Sequence, residues 1–170
     1  MPRLFVAVVP PPEVVEHLDD FLSVRRAAAD FRWSAPDQWH VTLAFAAAAP
    51  ERALDELDDL LVEAAGRRPS FGMRVAGGDA FPHADRARVL VAGLEADDDA
   101  GLERLAAACR PAEAPEGEVR PANVTSWVRL LDAYAGPQWQ VSAVALVASH
   151  LGEGPRRRPR HEVVGTYALG

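Results

Sequence analysis

The segment His40-Val41-Thr42-Leu43-Ala44-Phe45 holds the residue types best suited to chemistry. An imidazole with an ordinary pKa of about 6.5 can take or give a proton near neutrality. A hydroxyl two residues away can donate to a phosphate oxygen. Side chains alternate faces along a strand, so His40, Thr42 and Ala44 are expected on one face. Val41, Leu43 and Phe45 are expected on the other, directed into the core. The imidazole and hydroxyl would then enter one cleft, with small Ala44 leaving room beside them. That arrangement suits acid–base attack on a phosphate ester. The competing reading is a half-buried structural histidine, because the chain has 5 histidines and a lone His-x-Thr arises readily by chance.

The other histidines are His17, His83, His150 and His161. Together with His40 they show no H-x-H or H-x₃-H spacing, so no metal site is indicated. Neither His150 nor His161 has a Thr two residues on, and both read as structural or solvent-facing, as does His83 in a Pro-containing loop. Trp33 and Trp39 could stack a base or pack the interior. Arg156, Arg157, Arg158 and Arg160 could contact an RNA backbone, or simply form a solvated loop. The chain contains no Lys and no Ile, so its arginines carry little functional signal by themselves. Cys109 at helical spacing reads as core, and one cysteine permits no internal disulfide. No glycine loop of the P-loop or Rossmann pattern occurs.

These side chains need elements to position them. Leu4 to Val9 is a strand-length apolar run, ended by Pro10-Pro11-Pro12. Pro12 suits a helix start, and Val14, Val15, Leu18, Phe21 and Leu22 follow at helical spacing. Ser34 to Asp37 is a turn, and Trp39 to Phe45 is a strand. Glu51 to Ala65 is an amphipathic helix with Leu54, Leu57, Leu60, Leu61 and Ala64 on its apolar side. Ser70 to Val75 and Arg86 to Leu94 are strands. A helix begins at Asp97-Asp98-Asp99 and carries Leu102, Leu105, Ala106 and Cys109. Trp139 to Ser149 and Glu162 to Leu169 are the last strands. The sum is an α+β domain spanning residues 1–170, with mostly antiparallel strands and about four helices.

Composition narrows the class. Hydrophobic residues make up 49% of 170 residues, enough for one globular core. The net charge of −7 argues against sequence-blind duplex binding, though not against recognition of one phosphate at an RNA end. No segment has the length of a membrane span or the layout of a signal peptide. A cytoplasmic monomer is expected.

Several stretches resemble the 2H phosphoesterase family, in the branch of bacterial RNA 2′,3′-cyclic phosphodiesterases also called 2′-5′ RNA ligases. Leu4 to Val8 followed by prolines resembles its opening strand. Arg32-Trp33-Ser34-Ala35-Pro36-Asp37-Gln38-Trp39-His40-Val41-Thr42-Leu43 resembles its first motif. Phe81-Pro82 with Ala87 to Gly93 resembles its mid-chain hairpin. Ser149-His150-Leu151-Gly152 and Arg160-His161-Glu162-Val163 resemble its final strands. The resemblance implies a two-lobed fold with helices outside a central groove, and a His-x-Thr motif in each lobe. One histidine would act as base on water and the other as acid on the leaving ribose oxygen, while threonines hold the phosphate. His40 is then catalytic and Thr42 substrate-binding. The substrate would be an RNA end or a cyclic nucleotide, and no metal or other cofactor is needed.

The second motif is not found in this sequence. Its place would lie between Arg110 and Trp139, where Asn123-Val124-Thr125 is the nearest candidate. Val124, Trp127, Val128 and Leu131 fall at helical spacing, with Asn123 as N-cap and Gly136-Pro137 as a stop. Asn123 to Ala135 therefore reads as a helix, and the motif as absent rather than mutated. A catalytically impaired module that binds terminal phosphates stands as the alternative function.

Overall fold

A computed structural model of the chain describes residues 3–29, 31, 33–46, 51–98, 123–150, 152–153 and 159–170. Its main elements follow in order: β1 (Arg3–Val8), α1 (Pro12–Ser23), β2 (Val41–Ala46), α2 (Glu51–Gly66), β3 (Phe71–Phe81), β4 (Val89–Ala96), α3 (Thr125–Asp132), β5 (Trp139–Val141), β6 (Ala143–His150) and β7 (Arg160–Ala168). The strands form two sheets, one ordered β2-β1-β6-β7 and the other β4-β3-β5. Every pairing among the described residues is antiparallel. The α+β class and the mostly antiparallel strands expected from the sequence are present.

The apolar run at the N-terminus forms β1 in the middle of the first sheet, and five of its six residues are buried. Its Leu4, Val6 and Val8 join Val144, Leu146 and Ala148 of β6 in the main core, closed by Leu61, Ala64 and Ala65 of α2. Phe71, Met73 and Val141 of the second sheet enter the same cluster, so both sheets share one interior. Tyr167 of β7 ties the helix down by donating to Asp58 Oδ1 at 2.6 Å. α1, started at Pro12 where no N–H is needed, crosses to the second sheet. There Val14, Leu18 and Leu22 meet Val75, Leu131 and Tyr134.

Several boundaries differ from the sequence reading, each for a local reason. The 139–149 run is two strands: β5 pairs with β3 in the second sheet, whereas β6 pairs with β1 and β7 in the first. A continuous apolar run cannot reveal that the chain changes sheets within it. β3 extends well past Val75, through an irregularity at Ala76-Gly77 where Gly77 takes φ 73°. Only glycine adopts that conformation without strain. The next residue, Gly78, leaves room for α3, since a β-carbon there would lie 2.5 Å from Leu131 Cβ. The last strand runs Arg160–Ala168 rather than from Glu162. Asn123 to Ala135 contains a helix as expected, shortened to Thr125–Asp132. Three α-helices occur among the described residues. The helix expected from Asp97 to Cys109 falls largely outside them, as do Arg156, Arg157 and Arg158. No helix among the described residues is long and apolar enough to cross a membrane.

Candidate active site

The site begins at a short turn. Pro36 opens a single 3₁₀ turn, Pro36–Gln38, closed by Trp39 N–H donating to the Pro36 carbonyl at 3.2 Å. Trp39 and His40 then run extended into β2, which starts at Val41, two residues later than the sequence suggests. The turn brings the Gln38 carbonyl back over the His40 ring, where it accepts a hydrogen bond from Nδ1 at 2.7 Å. A carbonyl only accepts, so Nδ1 carries a proton and Nε2 of the neutral ring keeps its lone pair.

Strand register then sets the faces. β1 and β2 pair Val8 with Val41 and Ala7 with Thr42, but the next pair is Val6 with Ala44. Leu43 is the extra residue of a β-bulge, and a bulge resets the alternation beyond it. Thr42 thus shares the face of Ala7, and Phe45, opposite Phe5, returns to that same face. Leu43 and Ala44 both enter the core. The expectation for Ala44 and Phe45 is therefore reversed. Ala44 is buried, and Phe45 is 40% exposed beside Phe5, with ring centroids 6.2 Å apart.

The same face carries a second imidazole. β6 pairs Val147 with Val163 and Ser149 with His161, and β1 pairs Phe5 with Val147. Phe5, Val147, Val163 and His161 consequently lie on the face of Thr42. The His40 and His161 rings meet edge to face at 5.2 Å between centroids. Both rest on Phe5, at 4.6 Å and 5.3 Å. The Gln38 side chain completes the link, its Oε1 accepting from the His161 backbone N–H at 3.1 Å. An open cavity of about 70 Å³ lies here, walled by Phe5, Val9 and Val147, by Asp37, Gln38 and Trp39, and by His40, His161 and Val163.

Burial governs the charge of both imidazoles. Desolvation lowers the His40 pKa, and the Gln38 carbonyl opposes this in part. Desolvation also lowers that of His161, the neighbouring His40 lowers it further, and the Gln38 backbone opposes this in part. His161 Nδ1 is buried and makes no hydrogen bond among the described residues.

The structure thus brings together His40 and His161, with Gln38 between them. His161 lacks a Thr two residues on and reads as bland in the sequence; only the β6–β7 register and the position of β1 place it beside His40. No one-dimensional signal marks Gln38 either. Thr42 is half-buried on the same face, one strand position beyond the cavity wall.

The other candidates lie apart. Asn123 and Thr125 lie at the start of α3, where Val124 rather than the expected Asn123 is the N-cap: Asn123 Oδ1 accepts from the Thr125 N–H at 3.1 Å and from its hydroxyl at 2.8 Å. Val124 donates to the Ala84 carbonyl, fixing that helix to the β3–β4 connection. Trp33 packs against Phe31 and Trp127. Trp39 leans on the cluster of α1 while its indole N–H reaches Ser34. His17 bonds Tyr134 Oη at 2.7 Å, and His150 bonds Glu162 at 3.0 Å. His83 is exposed. Arg160 is engaged by Glu153 and Glu162.

Comparison with known proteins adds to this geometry. The family model described as LigT-like phosphoesterase matches residues 8–91, the stretch containing His40 and Thr42. A search of curated protein sequences gives no match. Among solved structures, TT0787 of Thermus thermophilus is 26% identical, with a TM-score of 0.73 over 98% of this chain and 97% of that one. Escherichia coli LigT complexed with 3′-AMP is 22% identical, with a TM-score of 0.73 over 99% and 98%. The same protein complexed with NADP+ is 21% identical, with a TM-score of 0.70 over 99% and 98%. The Escherichia coli likenesses establish a shared fold.

Proposed function

We propose that this chain, which belongs to the LigT-like phosphoesterase family, opens 2′,3′-cyclic phosphates at RNA ends to give 2′-phosphates. Phosphoester chemistry follows from the family as a class. The cyclic RNA end is the finer reading. It is supported by the sequence resemblance and by the nucleotides, 3′-AMP and NADP+, with which Escherichia coli LigT has been crystallised.

The observation that carries this reading is the state of His40. Its Nδ1–H is held by the Gln38 carbonyl at 2.7 Å, which leaves Nε2 as the basic nitrogen. Burial lowers the pKa of the ring, which favours its neutral form. A neutral, fixed imidazole beside an open cavity suits a general base, whose rate contribution is typically 10²–10⁴-fold. In the proposed step it removes a proton from water as the oxygen attacks phosphorus, and the bond to the ribose 3′ oxygen breaks. Thr42, on the same sheet face, donates its hydroxyl to a phosphate oxygen. The chain acts as one domain and as a monomer.

A second reading is favoured by one observation, the absence of a second His-x-Thr motif from the sequence. A module that binds terminal phosphates without cleaving them would need only the half-site at His40 and Thr42. An RNA oligonucleotide ending in a 2′,3′-cyclic phosphate separates the two. Chromatographic conversion to the 2′-phosphate supports the phosphodiesterase. Binding of the oligonucleotide without conversion sinks it in favour of the module.

A further inference from the structure

The cavity beside the Pro36–Gln38 turn holds two histidines, of which the mechanism above employs one. We propose that His161 on β7 is the second acid–base group of this site, protonating the ribose oxygen that leaves while His40 activates water. The proposal rests on the phosphodiesterase reading above.

Four independent features place it there. The β6–β7 register sets His161 on the face that carries His40 and Thr42. The two rings touch at 5.2 Å and share Phe5 as a floor. Both line the open cavity on that face. Gln38 holds both by different atoms, its carbonyl on the His40 ring and its Oε1 on the His161 backbone. Gln38 thereby links the turn before β2 to the start of β7. In addition, the His161 Nδ1 is not engaged by any described protein group.

The chemistry requires such a pair. Two imidazoles at this distance repel one another when both are charged, so the pair passes through a state holding a single proton. Ring opening of a cyclic phosphate needs a base for the attacking water and an acid for the leaving oxygen. His40 Nε2 takes a proton from water, the water oxygen bonds to phosphorus, and the bond from phosphorus to the 3′ oxygen breaks. The electron pair stays on that oxygen, and His161, in the state of the pair that carries the single proton on its ring, supplies its proton. The 2′ ester remains, and the pair is left with its proton exchanged from one ring to the other. The remaining ionisable side chain in the cavity wall is Asp37 of the turn, which is exposed. With no second His-x-Thr motif in the chain, the C-terminal hairpin supplies the missing partner.

The test uses the full chain and 2′,3′-cyclic AMP, with His161→Gln and His161→Gly beside the wild type over a pH series. His161→Gln is expected to lower kcat about 100-fold or more with KM within about 3-fold. Its pH profile should lose the high-pH limb and keep the low-pH limb set by His40. Added imidazole should restore part of the turnover of His161→Gly, which a misfolded variant would not show. Wild-type turnover with His161→Gln within about 3-fold and both limbs intact overturns this role alone. Slow turnover with both limbs intact and no imidazole rescue also overturns it, in favour of packing. A wild type that does not turn over the substrate overturns the phosphodiesterase reading itself, and this role with it.

Discussion

Replacing Gln38 with Ala separates the two things this residue does. The backbone carbonyl that holds His40 Nδ1 remains, while the Oε1 that accepts from the His161 N–H is lost. One partly buried neutral hydrogen bond contributes about 1 kcal/mol net. For a chain of this length that corresponds to a fall in Tm of about 2–4 °C. The kinetic effect should be larger than the thermal one suggests. Freeing the start of β7 lets the His161 ring drift on Phe5, and a misplacement of about 1 Å can cost on the order of 100-fold in rate. Gln38→Ala is therefore expected to lower kcat about 10- to 100-fold while leaving KM nearly unchanged. Gln38→Glu keeps the acceptor and should recover much of the rate. Its carboxylate, set between the imidazoles, should also move the low-pH limb of the rate profile upward. Steady-state kinetics on a cyclic nucleotide, with a thermal melt of each variant, measures both effects. A fall in Tm of about 2–4 °C with kcat unchanged would show that the Gln38 bridge serves the fold and not the reaction.

Thr42→Val keeps the shape of a half-buried strand residue and removes its hydroxyl; loss of one hydrogen bond to a charged phosphate, about 1.5–3 kcal/mol, should weaken kcat/KM by about 10- to 150-fold with Tm nearly unchanged. Unaltered kinetics would remove Thr42 from the site. Both His40 and His161 have folded pKa values below their unfolded value. The unfolded chain therefore binds protons more readily, and the stability these rings contribute is present above pH of about 6.5 and lost as pH falls through the folded values. Chemical denaturation between pH of about 7.5 and 5 should show a steeper acid loss for the wild type than for a His40→Phe, His161→Phe double variant, and parallel curves would contradict the assigned burial. Gly78→Ala should destabilise by about 1–3 kcal/mol through overpacking, because the new methyl meets Leu131 Cβ at 2.5 Å; a melt within about 1 °C of wild type would refute that packing.

The elements were largely legible because their signals are local. Pro12 followed by Val14, Val15 and Leu18 marks α1, and the Leu54-to-Leu61 stripe marks α2. The helical spacing from Val124 to Leu131 correctly separates α3 from a strand bearing a second motif. What escaped the sequence depends on pairing between distant segments. The Leu43 bulge swaps Ala44 and Phe45 between faces, and it exists because β2 is one residue longer than its β1 partner over that stretch. The change of sheet at Ser142 depends on which partners Trp139–Val141 and Ala143–His150 find. His161 is the clearest case. Its neighbours in sequence give it no chemistry, and its neighbours in space, His40 and Phe5, lie more than a hundred residues away. The shared face of His40 and Thr42 was legible because an i, i+2 pair in extended chain needs no partner to define it.

The phosphodiesterase activity is tested by ³¹P NMR of 2′,3′-cyclic AMP incubated with the wild type and with His40→Ala, each shown folded by its melt. The cyclic signal is expected to convert to a 2′-monophosphate with the wild type, and conversion to slow by at least about 100-fold with His40→Ala. A cyclic signal that persists with the wild type, or one that converts equally fast with both proteins, would contradict this expectation.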